Sequence, residues 1–207
     1  INLGTTNLSL LLNISIVPEI QIWLFLAFMI SFIIKLPLWP INSWVSEISA
    51  DCRPIFSIIL ICIILKMIFY SLLRFSIPLF PNASLIFQDY ILYLSVLTIA
   101  SSLFLCIHQT NFYKLITYYS FSHMGFVMIG IFSFNKQGLD GAMFQIISDG
   151  LIFAGLFVSL GILNHIFKFQ EINLFGDLVN VMPKFNLFFI FFIISSISFP
   201  GTTGFIG

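Results

Sequence analysis

The residues of this chain that could do chemistry are a few ionisable side chains placed inside long apolar runs. Lys66, His123 and Asp149 each lie in the middle of such a run, and Lys35 lies where another run meets two prolines. A lysine, an imidazole and a carboxylate can pass protons to one another through waters and hydroxyls, since burial and neighbouring charges tune how tightly each group holds its proton. These four residues are therefore candidates for a proton relay.

Each candidate also has an ordinary structural explanation. A long cation near a helix end can reach the headgroups, which suits Arg74 and in part Lys35. This explanation does not suit Lys66, because roughly 12 residues, or about 18 Å of helix, flank it on each side. Asp149 alone could be a hydrogen-bonding group to a neighbouring helix, and His123 could be a neutral core histidine. A charge at such depth costs about 3 kcal/mol or more, which favours a functional role.

Polar side chains accompany the deep groups at a spacing of four residues, which places both members of a pair on one helical face. The spacing occurs in three pairs: Tyr119 and His123, Gln145 and Asp149, and Lys66 and Tyr70. We interpret them as a polar, water-accessible seam between helices.

The composition indicates what surrounds this seam. Of 207 residues, 59% are hydrophobic and only 8% are charged, and 27 are Phe. A soluble domain carries about 25% charged residues. This composition excludes a soluble enzyme, a nucleic-acid-binding protein with a basic face and a disordered chain, and it predicts an all-α, polytopic membrane protein in contact with lipid. We expect residues 1–207 to form a single transmembrane domain.

About six apolar runs are long enough to span a bilayer, which takes about 20 residues each. The runs are 19–36, 55–78, 88–107, 113–134, 138–167 and 184–200. Six alternating crossings place the stretches 41–53, 108–114 and 168–184 on one side of the membrane. Four basic residues lie on that side: Arg53, Lys114, Lys168 and Lys184. Because basic loop residues concentrate on the inner side of a membrane, we predict that this side faces the cytoplasm or matrix.

Two interruptions predict broken helices. Lys35-Leu-Pro-Leu-Trp-Pro (35–40) removes two amide donors, and Phe199-Pro-Gly-Thr-Thr-Gly (199–204) is a second break. Backbone groups freed at membrane depth are tolerated only inside protein or beside water. Paired discontinuous helices are typical of ion transporters. Two ordinary helix ends at the membrane interface would give the same sequence pattern. The three cysteines have no cluster spacing, so no redox centre is expected at Cys52, Cys62 or Cys106.

Several strings resemble the antiporter-like membrane subunits of respiratory complex I, in the same order along the chain. The strings are Ile34-Lys-Leu-Pro, Leu72-Leu-Arg-Phe-Ser-Ile-Pro-Leu-Phe-Pro-Asn-Ala-Ser, Ser120-Phe-Ser-His-Met-Gly-Phe, Gly176-Asp-Leu-Val with Met182-Pro183, and Phe199-Pro-Gly-Thr. The second and third strings favour the subunit 4 type of this family over the subunit 2 and subunit 5 types.

The resemblance implies a proton-pumping, multi-pass subunit of the mitochondrial inner membrane. It implies that Lys35 belongs to the channel at a helix break, that Lys66 relays protons across the centre, and that His123 is the histidine of the Ser-His-Met-Gly motif. NADH, FMN, iron–sulfur clusters and ubiquinone would all be bound by partner subunits. The implied partners include the neighbouring antiporter-like subunits 2 and 5.

The chain departs from the family pattern at three places. In the family a histidine usually follows the proline of the first helix break, whereas Ile41 and Asn42 follow Pro40 in this chain. Ser49 replaces a second histidine of the loop. Asp149-Gly150 replaces a His-Gly pair. The last change exchanges a titratable base for a carboxylate. We therefore hypothesise that Asp149 pairs with Lys66 or with His123.

The resemblance covers the middle-to-late block of the family fold. The glutamate that partners the Lys35-type lysine would lie upstream of Ile1, and a charged residue of the second broken helix would lie downstream of Gly207. A second polypeptide or a longer chain is therefore expected to supply them. Two alternatives stay open: a cation/proton antiporter or membrane hydrogenase subunit, and a non-conducting structural segment of the membrane arm.

Overall fold

The computed structural model describes residues 7–12, 16–168, 170–172 and 181–206, and the string at 176–179 lies outside these residues. The described chain is helical, apart from turns and an isolated bridge between Asn111 and Glu171. The helices are α1 (Leu8–Leu12), α2 (Pro18–Lys35), α3 (Ser43–Asp51), α4 (Pro54–Leu79), α5 (Pro81–Ile86), α6 (Gln88–Ile107), α7 (Phe112–Phe132), α8 (Lys136–Phe167) and α9 (Pro183–Ser196). A 3₁₀ turn over Thr203–Phe205 follows α9.

Five described helices, α2, α4, α6, α7 and α8, are long and apolar enough to cross a membrane. They confirm the first five predicted runs to within two residues at each end. The sixth prediction was wrong in its extent, because α9 has only 14 residues and ends at Ser196. The backbone leaves the helical region there, since Ser198 has a φ of 59° and Pro200 has no amide hydrogen to donate.

The predicted break after Lys35 is present, and the chain continues into a second helix beyond it. Freed backbone amides find partners inside the protein: Trp39 N–H donates to the Thr98 hydroxyl of α6 over 3.1 Å. The stretch 41–53, which we expected to be a connection, instead forms α3. That expectation was wrong because one face of α3 is buried against α7 and stabilises a helix there.

The connections on one side of the bundle are joined by hydrogen bonds. The Gln170 side chain accepts a hydrogen bond from the Asn111 amide over 2.8 Å and donates one to the Ala50 carbonyl over 3.3 Å. The Ile172 amide donates to the Thr110 carbonyl. These contacts confirm that the stretches 41–53 and 108–114 share one side with the described residues 170–172 of the third stretch. The compartment that this side faces stays a prediction.

Helix α7 is the centre of the bundle, since 14 of its 21 residues are buried. A helix that is apolar all round is expected in such a position. It packs against α3, α6 and α8. At Gly125 a Cβ atom would lie 3.1 Å from the Ser95 carbonyl oxygen, so only glycine allows α6 and α7 to approach so closely. This packing holds the middle of α7 away from the outer surface.

Candidate functional site

Three of the four predicted site residues converge in the bundle interior. Asp149 on α8 lies between Lys66 on α4 and His123 on α7. The His123 Nδ1 atom is 3.1 Å from Asp149 Oδ1, and the Lys66 Nζ atom is 3.9 Å from Asp149 Oδ2. The hypothesised pairing of Asp149 is therefore present with both partners. We call Lys66, His123, Gln145 and Asp149 the buried polar cluster.

Gln145 completes this cluster. Its side-chain amide donates to Asp149 Oδ1 over 2.8 Å, and the same nitrogen lies 3.1 Å from His123 Nδ1. The spacing of four residues in α8 places Gln145 one turn before Asp149 on the same face, as predicted. The amide thereby holds the carboxylate in one orientation between α7 and α4.

The electrostatics of the cluster depend on burial. Only 1% of Asp149 is exposed, and Lys66 and His123 are buried as well. A charged carboxylate is strongly disfavoured in such surroundings unless a cation or hydrogen-bond donors face it. The Lys66 ammonium group, the Gln145 amide and the His123 imidazole all face this carboxylate. The carboxylate is therefore surrounded by groups that can compensate its burial.

Helix α4 changes its winding on both sides of Lys66. Residues Ile59–Ile64 and Leu72–Ser76 form π-helical segments, and an ordinary α-helical stretch carries Lys66 between them. In the first segment the Leu65 amide bonds to the Leu60 carbonyl, five residues back. Wide turns of this kind occur often at functional sites. Here they set the rotation of α4 that directs Lys66 inward.

Four buried side-chain atoms at the cluster have no hydrogen-bond partner among the described residues: Lys66 Nζ, Asp149 Oδ2, Gln145 Oε1 and Ser148 Oγ. The distance from Lys66 Nζ to Asp149 Oδ2 exceeds a direct hydrogen bond, and a single water molecule could bridge the two atoms. Buried polar atoms of this kind are the usual partners of internal water. One water molecule between Lys66 Nζ and Asp149 Oδ2 would complete a short hydrogen-bonded route between the two residues.

A cavity of about 540 Å³ opens beside the cluster and is lined by His123 and Gln145. Gln137 and Gly138, in the first turn of α8, line it at one end, and Ser196 and Ser198 line it beside the break after α9. The cavity reaches from the cluster towards the side opposite the hydrogen-bonded connections. It gives His123 an open space at the edge of the bundle, lined by apolar side chains together with Gln145 and several hydroxyl groups.

Lys35 does not join the cluster. It is exposed at the end of α2 and lines a separate cavity of about 390 Å³. Leu65 and Ile68 of α4 also line that cavity, one residue before Lys66 and two residues after it. The expectation that Tyr70 shares the polar seam was wrong: 61% of Tyr70 is exposed, although Lys66 is buried one turn earlier.

Sequence reasoning missed a set of buried hydroxyls between α3 and α7. The Ser46 hydroxyl donates to the Tyr118 hydroxyl over 2.9 Å, and the hydroxyls of Ser49 and Thr117 are 2.7 Å apart. Spacing of three residues between the two serines of α3 was the available signal, but α3 was not expected to be a helix. These hydroxyls join the second half of the broken helix to the helix that carries His123.

The other reactive side chains in the described part of the chain form no second centre. The thiols of Cys52, Cys62 and Cys106 are free. No three His, Cys, Asp or Glu side chains gather as a metal site in the ranges that the structure describes. That redox cofactors are bound by other subunits stays a prediction.

Comparisons with known proteins relate this geometry to a family. The profile of the NADH:quinone oxidoreductase/Mrp antiporter transmembrane family matches residues 2–207. NADH-ubiquinone oxidoreductase chain 4 of Chondrus crispus is 42% identical over 204 residues, which cover 99% of this chain and 42% of that protein. NADH-quinone oxidoreductase subunit M of Rhodobacter capsulatus is 39% identical over 188 residues, which cover 91% of this chain and 37% of that protein. The chain thus spans less than half the length of these relatives.

Two solved structures have the same arrangement of helices. A chain of respiratory complex I from Thermus thermophilus with bound NADH superposes with a TM-score of 0.88 at 26% identity, over 94% of this chain and 42% of that one. A chain of the Mrp complex from Dietzia sp. DQ12-45-1b superposes with a TM-score of 0.85 over 98% of this chain and 38% of that one. At 17% identity, the second likeness shows the fold alone.

Proposed function

The chain belongs to the NADH:quinone oxidoreductase/Mrp antiporter transmembrane family, and from that membership we propose that it translocates protons within the membrane arm of a respiratory complex I. In this proposal, electron transfer from NADH to ubiquinone in other subunits drives the translocation. The identity to chain 4 and subunit M proteins over nearly the whole chain supports the subunit 4 assignment.

The observation that carries the proposal is the position of Asp149 between Lys66 and His123. A buried carboxylate in contact with two basic groups on two other helices can accept a proton from one and release it to the other. The apolar surroundings confine the proton to these groups. An ionisable residue at such depth serves an ion or proton pathway in most membrane proteins that have one.

The path has a direction in space. Lys66 is the group on the side of α4 and the Lys35 cavity, and His123 is the group on the side of the larger cavity. A proton passes from Lys66 to Asp149 through bridging water, then to His123, and leaves through the cavity of about 540 Å³. Gln145 keeps the carboxylate directed at both basic groups throughout.

Lys35 is assigned to the entry side of the path. It stands at the end of α2, where the helix dipole favours a cation, and its cavity is separated from Lys66 only by the wall of α4. Its partner carboxylate is proposed to come from outside the described residues, on the same or a second polypeptide. Exchange of a proton between Lys35 and Lys66 requires water to enter between α2 and α4, because the apolar side chains of Leu65 and Ile68 line this wall.

The proposed surroundings of the chain follow from the same family assignment. We assign it to the mitochondrial inner membrane, beside other membrane-arm subunits that include the antiporter-like subunits 2 and 5. NADH, FMN, iron–sulfur clusters and ubiquinone are assigned to partner subunits. The names of the eukaryotic relatives, which are ubiquinone oxidoreductase chains, support this placement.

The test uses the assembled complex that contains this chain, reconstituted into liposomes. Lys66→Met removes the buried lysine and keeps an apolar side chain of similar length. Lys136→Met removes the exposed lysine that begins α8 and is the matched control. We expect Lys66→Met to lower the number of protons pumped per electron, while Lys136→Met leaves it unchanged. An unchanged proton-to-electron ratio in Lys66→Met would overturn the proposed function.

A further inference from the structure

Tyr119 touches the proposed proton site without belonging to the buried polar cluster. Its ring meets the imidazole of His123 edge to face, with centroids 4.9 Å apart and an angle of 75° between the planes. Phe153 contacts the imidazole from α8 at 5.4 Å and 85°. The two aromatic rings leave the imidazole little freedom to turn, and it is held with Nδ1 towards Asp149.

The other end of Tyr119 reaches the second helix break. Its hydroxyl donates a hydrogen bond of 2.8 Å to the carbonyl oxygen of Ser196, the last residue of α9. This carbonyl belongs to the negative end of the helix dipole, which strengthens the bond. The backbone beyond it turns sharply, with positive φ at Ser198 and Gly201. Tyr119 is therefore attached to the point where α9 stops being helical.

Tyr119 also stands between two cavities. One is the cavity of about 540 Å³ beside His123, and the other is a cavity of about 230 Å³ lined by Cys106, Leu115 and Leu156. Tyr119, Ser196 and Ile197 line both cavities. The bonded phenol and the end of α9 together form the wall between them.

We propose that Tyr119 is a positioning residue that couples the break after α9 to the orientation of His123. The coupling rests on the proposed function. While the hydroxyl bonds to the Ser196 carbonyl, the phenol ring holds the imidazole towards Asp149 and keeps the two cavities separate. When the end of α9 shifts, the phenol loses its acceptor and moves, so the imidazole is free to turn from Asp149 into the larger cavity.

Tyr118 provides a matched comparison on the same helix. It is buried, whereas Tyr119 is half-buried, and its hydroxyl accepts a hydrogen bond from Ser46 of α3. Its ring contacts Phe121 rather than His123. A tyrosine needed only for packing of α7 would resemble Tyr118 in its response to loss of the hydroxyl. The proposal requires that Tyr119 respond differently.

The experiment measures protons pumped per electron in liposomes that contain the assembled complex. The variants are Tyr119→Phe, Tyr118→Phe, Lys66→Met and His123→Gln, together with the double variant Tyr119→Phe/His123→Gln. We expect Tyr119→Phe to assemble normally and to show at least half of the loss caused by Lys66→Met, while Tyr118→Phe matches the unsubstituted complex. The double variant should pump no less than His123→Gln alone, because Tyr119 acts through His123.

The outcomes separate this inference from the proposed function. If Lys66→Met lowers pumping and Tyr119→Phe does not, the coupling is refuted and the proposed function stands. If the losses of Tyr119→Phe and His123→Gln add, or if Tyr119→Phe alone prevents assembly, Tyr119 has a structural role and the inference is also refuted. If Lys66→Met pumps normally, the proposed function itself fails.

Discussion

The Oδ1 atom of Asp149 on α8 lies 3.1 Å from the Nδ1 atom of His123 on α7, and both side chains are buried. Neighbouring helices thus bring an acid and a base into contact inside an apolar bundle. In the proposed path Nδ1 accepts the proton from Asp149 Oδ1, and the same ring later releases it into the cavity beside His123. This contact is the centre of the proposed path.

The pairing of Lys66 with Asp149 should contribute to the free energy of unfolding. Lys66→Met leaves the Asp149 carboxylate buried without its cation, a change that costs about 3–5 kcal/mol in buried pairs. Lys66→Met/Asp149→Leu replaces both charges by apolar groups and should recover most of that loss. Thermal unfolding of the solubilised complex would measure the stability of the single and the double variant. Equal stability of the single and double variants would show that Lys66 does not balance Asp149.

His123 should be required for pumping beyond its hydrogen bond. His123→Gln keeps a side-chain amide able to bond to Asp149 but removes the imidazole, which can accept and release a proton. We expect proton pumping per electron to fall while NADH oxidation continues. His108→Gln is the control, because His108 is exposed at the end of α6 and bonds only to the Phe104 carbonyl. The same loss in both variants would refute a specific role for His123.

Gln145 should matter through the orientation of the carboxylate. Gln145→Leu fills similar space but removes the amide that donates to Asp149 Oδ1 over 2.8 Å. Loss of one hydrogen bond to a charged group costs about 1.5–3 kcal/mol, so we expect pumping to slow roughly tenfold or more. Pumping rates at saturating NADH would show this change. Rates equal to those of the unsubstituted complex would mean that Lys66 and His123 orient Asp149 without Gln145.

Two glycines test the close packing around the site. A Cβ atom at Gly125 would lie 3.1 Å from the Ser95 backbone oxygen, whereas one at Gly150 would lie 3.5 Å from its nearest neighbour, the Cys62 oxygen. We expect Gly125→Ala to destabilise the chain by about 1–3 kcal/mol through overpacking. Gly150→Ala should be neutral or slightly stabilising, because alanine favours helix by about 1 kcal/mol. The reverse order of melting temperatures would contradict the packing of α6 on α7.

Much of this arrangement could be predicted from the sequence. The lengths of the apolar runs gave the five spans, and the depth of Lys66, His123 and Asp149 within them gave three members of the cluster. A charged side chain inside the membrane has a high free-energy cost unless a partner compensates it. The pairing of Asp149 could therefore be anticipated from this cost alone. The spacing of four residues also placed Gln145 beside Asp149, since both lie on a regular stretch of α8.

Other features depended on contacts that spacing does not specify. Helix α3 forms because one of its faces is buried against α7. This contact cannot be predicted from the sequence of a short polar stretch. Tyr70 lies one turn from Lys66, but no neighbouring helix covers that turn of α4 within the described part of the chain. The bond between Tyr119 and the Ser196 carbonyl requires that α7 and α9 meet, which is a property of the packed bundle.

The most direct test of the account compares two carboxylates on α8. Asp149→Asn keeps the size and hydrogen bonds of the buried side chain but removes its ability to exchange a proton, and Asp140→Asn does the same at an exposed position near the start of the helix. The measurement is the number of protons pumped per electron by the reconstituted complex. The account predicts a lower ratio for Asp149→Asn and an unchanged ratio for Asp140→Asn. An unchanged ratio for Asp149→Asn would contradict it.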